Sequence, residues 1–151
     1  MPEKETIERA REDAREGKSP STQAGEFVRE EMHHVREGRH GAASPQQAIA
    51  IGLSKARRAG VKLQPPRKGT QSPETHDQAE RDYREGQSHS RRKPSAKRSR
   101  ATSRALRKKG HSAASPASLA KQARTAARKR GSTARHNAAV KASRTRKRSK
   151  S

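Results

Sequence analysis

The stretch Glu31-Met32-His33-His34 brings a carboxylate and two imidazoles close together. Glu31 and His34 have the E-x-x-H spacing that puts both side chains on one face of a helix, as in the metal sites of di-iron helical bundles. Such sites also need matching carboxylates from other helices, and the pattern here lacks them. We therefore predict a solvated helix face and assign no metal ligand. For His40 and His111, which occupy matching loop positions, we expect a local hydrogen bond near a turn.

No other set of residues predicts catalysis. The sequence contains no G-x-x-x-x-G-K-S/T loop, and no nucleophile, base and orienting group can be assembled from it. Cysteine is absent, which excludes disulfides and Cys-ligated zinc and favours a reducing compartment. We predict a protein that is not an enzyme and has no cofactor.

The distribution of charge is the strongest functional signal. The net charge is +23, yet residues 1–60 hold 11 Lys/Arg against 10 Asp/Glu, and residues 61–90 hold five of each. Residues 91–151 hold 22 Lys/Arg and no acidic residue. A charge block of this kind is typical of a tail that binds nucleic acid.

The expected nucleic-acid contacts are basic residues of this tail. They are Arg91, Arg92, Lys93, Lys97, Arg98, Arg100, Arg104, Arg107, Lys108, Lys109, Lys121, Arg124, Arg128, Lys129, Arg130, Arg144, Arg146, Lys147 and Arg148. The only aromatic residues, Phe27 and Tyr83, lie outside the tail, so no side chain there can stack on unpaired bases. Duplex DNA is therefore favoured over RNA as the partner.

Large apolar residues are scarce. Leu, Ile, Val and Phe together number 12 of 151 residues, and alanine supplies most of the rest of the 26% classed as hydrophobic. A highly charged chain with less than roughly 20% of these four residue types is expected to be disordered. The composition therefore predicts a mostly α, partly disordered protein: one small helical hairpin with a basic, conditionally helical tail.

Serine–proline pairs and glycines divide the chain into helices. Ser-Pro occurs four times, each pair reading as an N-cap followed by proline at the first helical position. Glycines at 17, 38, 60, 86, 110 and 131 are spaced as helix C-caps. The predicted helices cover residues 3–16, 20–37, 45–59, 73–85, 96–109 and 116–130.

The hairpin is predicted from two amphipathic segments in residues 20–63. At helical spacing, Ala48, Ile49, Gly52, Leu53, Ala56 and Ala59 share one face of the second helix. Ala24 with Phe27, Val28, Met32 and Val35 forms the facing stripe, interrupted by Glu31. Ile49 and Leu53 are expected in the core, with Gly52 allowing close helix approach. Ile51 lies outside this face, so we expect it to contact either the first helix or a second copy of the chain.

An internal repeat appears at an offset of 71 residues. The pattern R-x-x-x-H-x-A-A-S-P at 36–45 recurs at 107–116, and A-R-x-x-G at 56–60 recurs at 127–131. In the second copy Ala120, Gln122 and Arg124 replace Ile49, Ile51 and Leu53. We interpret residues 96–131 as a degenerate second hairpin adapted to a polyanion.

The segments REGKSPSTQAGEFVREE and QAIAIGLSKARRAGVKL, within residues 11–66, resemble a family of small basic bacterial proteins of unknown function. KRSRATSRALRKKG and SLAKQARTAARKRG are similar to the tails of its longer members. Proteins of this family are often labelled plasmid stabilisation or DNA-binding proteins, so the resemblance implies this architecture and DNA binding. In composition alone, the tail is also similar to the terminal domain of linker histones.

The predicted organisation has four parts: a charged N-terminal helix (1–19), the hairpin (20–63), a linker with a short helix (64–90) and the basic tail (91–151). We expect non-enzymatic, largely sequence-independent DNA binding that organises or protects the nucleoid. The alternative is an interaction protein whose hairpin binds a protein partner or itself, with the tail localising it on RNA or ribosomes. No apolar run reaches the ~18 residues of a membrane span, and the N-terminus lacks a secretory pattern, so a cytoplasmic location is expected.

Overall fold

The computed structural model describes residues 1–88 and 95–148. These residues form six α-helices and one 3₁₀ turn, and no strand occurs among them. The helices are α1 (Lys4–Arg15), α2 (Pro20–Arg36), α3 (Pro45–Arg58), α4 (Pro73–Gln87), α5 (Ala96–Arg107) and α6 (Pro116–Arg148), with the 3₁₀ turn at Ser112–Ala114. The helix assignments from sequence are confirmed, apart from a few terminal residues and the extension of α6 beyond residue 130. None of the described helices has both the length and the apolar character needed to cross a bilayer.

Serine caps begin three of these helices as predicted. The hydroxyl oxygens of Ser19, Ser44 and Ser72 accept hydrogen bonds from the backbone N–H groups three residues further on. The residue after each of these serines is proline, whose missing N–H costs nothing at the first helical position. The Gln47 side chain also reaches back and accepts a hydrogen bond from the Ala43 N–H, 2.9 Å away. Local chemistry therefore fixes where these helices start.

Residues 1–115 form one compact unit around the α2–α3 pair. Helix α1 packs on α2, and α4 packs on α3. One buried apolar cluster draws residues from α1, α2, α3 and the segment that follows α3. Its buried members are Ala10, Ala24, Phe27, Ala56 and Val61, and the partly buried Ile7, Leu53, Ala59 and Leu63 pack against them.

The prediction of a single hairpin in a partly disordered chain is wrong. The structure is 75% helical, and α1 and α4 join the hairpin in the folded unit. Helices α1 and α4 pack through small or polar residues and not through large aliphatic ones: α1 buries Thr6 and Ala10, and α4 buries Ala79 and Asp82. The tail is helical as well, because alanine, arginine and lysine are strong helix formers that need little packing.

The helix boundaries follow the 71-residue offset found in the sequence. Helices α2 and α5 end at Arg36 and Arg107, and α3 and α6 begin at Pro45 and Pro116. The helical backbone of α6 breaks at Gly131, where φ is 76°, and Gly60 after α3 also has a positive φ. The two copies thus share the positions at which their helices begin and end, although α5 and α6 contain no buried residue.

The turns of the two copies also contact each other. The backbone N–H groups of Gly41 and Ala42 donate to the carbonyl oxygens of Leu106 and Gly110, at 3.0 and 3.1 Å. Arg36 Nε donates to the carbonyl oxygen of Ala114, at 2.9 Å. Ala42, Ala113 and Ala114 are buried by this contact region. The segment after α5 therefore belongs to the folded unit.

A buried carboxylate links α4 to α3. Asp82 is 1% exposed and accepts hydrogen bonds from Ser54 Oγ (2.5 Å), Arg58 Nε (2.7 Å) and Gln78 Nε2 (2.9 Å). We expect Asp82→Ala to destabilise the protein by about 1.5–3 kcal/mol, because hydrogen bonds to a charged group are lost inside the fold. Asp77→Ala, on the exposed side of the same helix, should change stability by no more than about 0.5 kcal/mol. Urea denaturation measures both, and equal effects would contradict the anchoring role of Asp82.

Candidate nucleic-acid interface

Helix α5 carries a basic stripe along one face. Lys97, Arg100, Arg104 and Arg107 follow each other at spacings of three, four and three residues, which keeps them on one side of a helix with 3.6 residues per turn. All four are exposed. From first to last they cover about 15 Å of helix axis. We call these four residues the α5 stripe.

Helix α6 presents a shorter group of the same kind. Lys121, Arg124 and Arg128 lie at spacings of three and four residues, and all are exposed. Leu119 and Ala126, which lie towards the opposite side of the helix, are only partly exposed. Beyond the break at Gly131 the basic residues are spread around the helix. We call Lys121, Arg124 and Arg128 the α6 group.

The other predicted contacts in the described tail are exposed apart from one. The exposed ones are Arg98, Lys108, Lys129, Arg130, Arg144, Arg146, Lys147 and Arg148. Lys109 is half-buried, and its Nζ donates to Gln47 Oε1 at 3.1 Å, so it holds the segment after α5 against α3. Arg91, Arg92 and Lys93 lie outside the described residues.

Several basic residues that precede the tail form ion pairs or hydrogen bonds within the fold. Arg9 pairs with Glu26 at 2.8 Å, Arg58 with Asp82 at 2.7 Å and Lys55 with Glu31 at 2.6 Å. Arg57 is buried; burial lowers its pKa, and its guanidinium donates to the carbonyl oxygens of Leu63 and Gln64. These cations are occupied within the fold, whereas the tail has no acidic residue to neutralise its own.

The residues predicted as hairpin core or interface are buried to different degrees. Phe27, Met32 and Val35 are buried, and Val28 is half-buried. Ile49, Ile51 and Leu53 are also half-buried, and Leu53 packs against the main cluster. The buried residues of α3 are instead Ala48, Gly52, Ala56 and Arg57. Gly52 allows the predicted close approach, since a Cβ there would lie 2.7 Å from the Val28 Cα.

The prediction of a solvated face at Glu31 and His34 is wrong. Glu31 is 0% exposed and His34 is 9% exposed. The chain after α2 brings in His40, whose Nε2 lies 3.0 Å from Glu31 Oε1, while Lys55 of α3 contacts the other oxygen. The local hydrogen bond expected for His40 is confirmed: its Nδ1 lies 3.1 Å from the carbonyl oxygen of Gly41. The sequence did contain one signal, because Glu31 interrupts the apolar stripe of α2.

Comparisons with protein-family models, with curated proteins and with solved structures return no match for this chain. Its function has to be argued from its own residues.

Proposed function

We propose that the protein binds duplex DNA without strong sequence preference, through the exposed lysines and arginines of α5 and α6. The observation that carries the proposal is the α5 stripe: four exposed cations on one helix face, in a segment without acidic residues. Polycations of this kind neutralise phosphates and release condensed counterions, which supplies affinity independent of sequence. A nucleoid-associated or DNA-protecting role follows from such binding and needs no catalytic group.

The absence of aromatic residues from α5 and α6 supports a duplex over single strands or RNA loops. Phe27 is buried in the core, with 1% of its surface exposed. Tyr83 lies on α4, and its hydroxyl accepts a hydrogen bond from the Gln64 side chain. Recognition of unpaired bases uses aromatic stacking, which these helices cannot provide. Arginine contacts to phosphates do not require it.

A fourfold variant of the α5 stripe tests this proposal. We expect Lys97, Arg100, Arg104 and Arg107, all changed to Gln, to weaken binding to a duplex at least tenfold in low salt, since four phosphate contacts are removed. The matched control removes the same charge from exposed positions outside the tail. Its substitutions are Arg11→Gln, Lys62→Gln, Arg67→Gln and Lys68→Gln.

Fluorescence anisotropy with a labelled duplex measures both variants against the unchanged protein. Equal losses in the two variants would mean that only net charge matters and would overturn the assignment to α5. Tighter binding of single-stranded RNA than of duplex DNA would instead favour the alternative, a tail that localises the protein on RNA.

A further inference from the structure

A second group of residues with binding chemistry lies inside the folded unit, apart from the basic tail. Helix α2 places Glu31 and His34 one turn apart, and the following turn returns His40 to the same point. One ligand atom from each of the three residues lies within 4.8 Å of the others. The imidazole rings of His34 and His40 are 6.1 Å apart and nearly perpendicular. We call Glu31, His34 and His40 the Glu31 cluster.

The hydrogen bond of His40 fixes which nitrogen faces the cluster. Its Nδ1 lies 3.1 Å from the carbonyl oxygen of Gly41, which can only accept, so Nδ1 carries the hydrogen. In the neutral ring Nε2 then has a lone pair, and this nitrogen lies 3.0 Å from Glu31 Oε1 without forming a hydrogen bond to it. A cation shared by these two acceptors would remove their mutual repulsion. Metal-bound histidines typically have the same arrangement, with the other ring N–H donated to a carbonyl.

The carboxylates of this region carry more negative charge than the nearby lysine neutralises. The Glu30 side chain is 2% exposed and that of Glu31 is 0% exposed. Glu30 Oε1 and both Glu31 oxygens are buried without a hydrogen-bond partner among the described residues. Lys55 Nζ lies 2.6 Å from Glu31 Oε2 and 3.6 Å from Glu30 Oε1. One ammonium group therefore faces two buried carboxylates, and Glu31 Oε1 is left to His40.

His34 also presents Nε2 to the cluster. This nitrogen lies 3.1 Å from both Glu3 Oε1 and Arg39 Nη1, and Arg39 Nη1 donates to Glu3 Oε1 at 2.6 Å. An imidazole nitrogen has one lone pair, so Arg39 and Glu3 have to leave Nε2 when it binds a metal ion. The same nitrogen lies 3.9 Å from Glu30 Oε1, so a second carboxylate is within reach of an ion held by His34.

We propose that the Glu31 cluster binds one divalent transition-metal ion of the zinc type, through Nε2 of His34, Nε2 of His40 and Oε1 of Glu31. Two imidazoles and one carboxylate are a ligand set that zinc accepts in tetrahedral geometry. Lys55 keeps Oε2 and makes the carboxylate monodentate, while Gly41 orients His40. With zinc–ligand distances of about 2.0–2.1 Å, the ligand atoms have to move together by up to about 1.5 Å. The ion would tie the turn after α2 to the helix itself.

The chain offers a control cluster of similar composition. His76, Asp77 and Glu80 on α4 also bring ligand atoms within 4.8 Å, but Asp77 is exposed and none of these carboxylates is buried without a partner. Arg84 already pairs with Glu80, and this hydrogen bond lowers the pKa of that carboxyl. We expect no tight metal binding there.

Calorimetric titration of the full chain with zinc chloride tests the proposal. One ion per chain is expected to bind, and His40→Gln and His34→Gln should each weaken binding at least tenfold, since each removes a ligand. His76→Gln and His33→Gln should bind as the unchanged protein does. Zinc should raise the melting temperature of the unchanged protein but not that of His40→Gln.

Nitrogen-15 NMR of the histidine rings in the unchanged protein tests the site without any substitution. Addition of one equivalent of zinc should shift the Nε2 resonances of His34 and His40 and leave His33 and His136 in place. No zinc uptake, shifts confined to surface histidines, or an affinity lost only in His76→Gln would overturn the proposal.

Discussion

Raising the salt concentration from about 50 to 200 mM is expected to weaken duplex binding on the order of a thousandfold or more. The α5 stripe and the α6 group together present seven exposed cations, and each phosphate contact contributes about −0.9 to the slope of log K against log salt. The expected slope is therefore close to −6. The slope tests for a phosphate interface, whereas the comparison of duplex DNA with single-stranded RNA separates the two functional hypotheses.

The two charge variants make this measurement specific. Removal of the four cations of the α5 stripe should reduce the magnitude of the slope by roughly 3.6, because four contacts are lost. The control variant, which loses Arg11, Lys62, Arg67 and Lys68, should keep the original slope. A slope near zero for the unchanged protein, or the same reduction in both variants, would contradict a phosphate interface on α5.

Helix boundaries could be predicted from the sequence because their causes are local. A serine hydroxyl, a proline ring and a glycine with positive φ act within a few residues. Ser44, Pro45 and Gly60 therefore predict the start and end of α3 without knowledge of the tertiary structure. The 71-residue repeat could be recognised for the same reason, because it consists of such residues at turns and helix ends. The exposure of the α5 stripe also follows from sequence, since nothing in an acid-free, polar helix requires burial.

Packing by small and polar residues could not be predicted in the same way. Ala10 and Ala79 are buried, but nothing in their neighbourhoods distinguishes them from the many exposed alanines of the tail. The Glu31 cluster depends on His40 folding back beside α2 and on Lys55 arriving from α3, and both contacts are tertiary. A buried carboxylate is costly without partners, so residue type alone argued for an exposed Glu31.

Gly86 shows how a local rule and a tertiary requirement can conflict. Its position predicts a helix C-cap, yet the residue lies inside α4, which continues to Gln87, and its φ is not positive. A Cβ at residue 86 would lie 1.7 Å from the carbonyl oxygen of Arg57 and 3.1 Å from the Cα of Arg58. Glycine is therefore needed here because the backbones of α3 and α4 touch.

Gly86→Ala is consequently expected to separate α4 from α3. The added methyl group meets backbone atoms, which cannot rotate away, so the helices must move apart and weaken the contacts of Asp82 with Ser54 and Arg58. We expect a loss of about 3 kcal/mol or more, at the upper end of overpacking costs and a large share of the stability of a small domain.

The matched control is Gly25→Ala on α2, where a Cβ meets no atom within 4 Å. There the substitution should stabilise the protein by up to about 1 kcal/mol, because alanine is the better helix former. Urea denaturation followed by circular dichroism measures both changes, and opposite signs are the expected result. If Gly86→Ala were instead as well tolerated as Gly25→Ala, α4 would not lie against α3 in solution, and the packing of α1, α2, α3 and α4 would lose one of its helices.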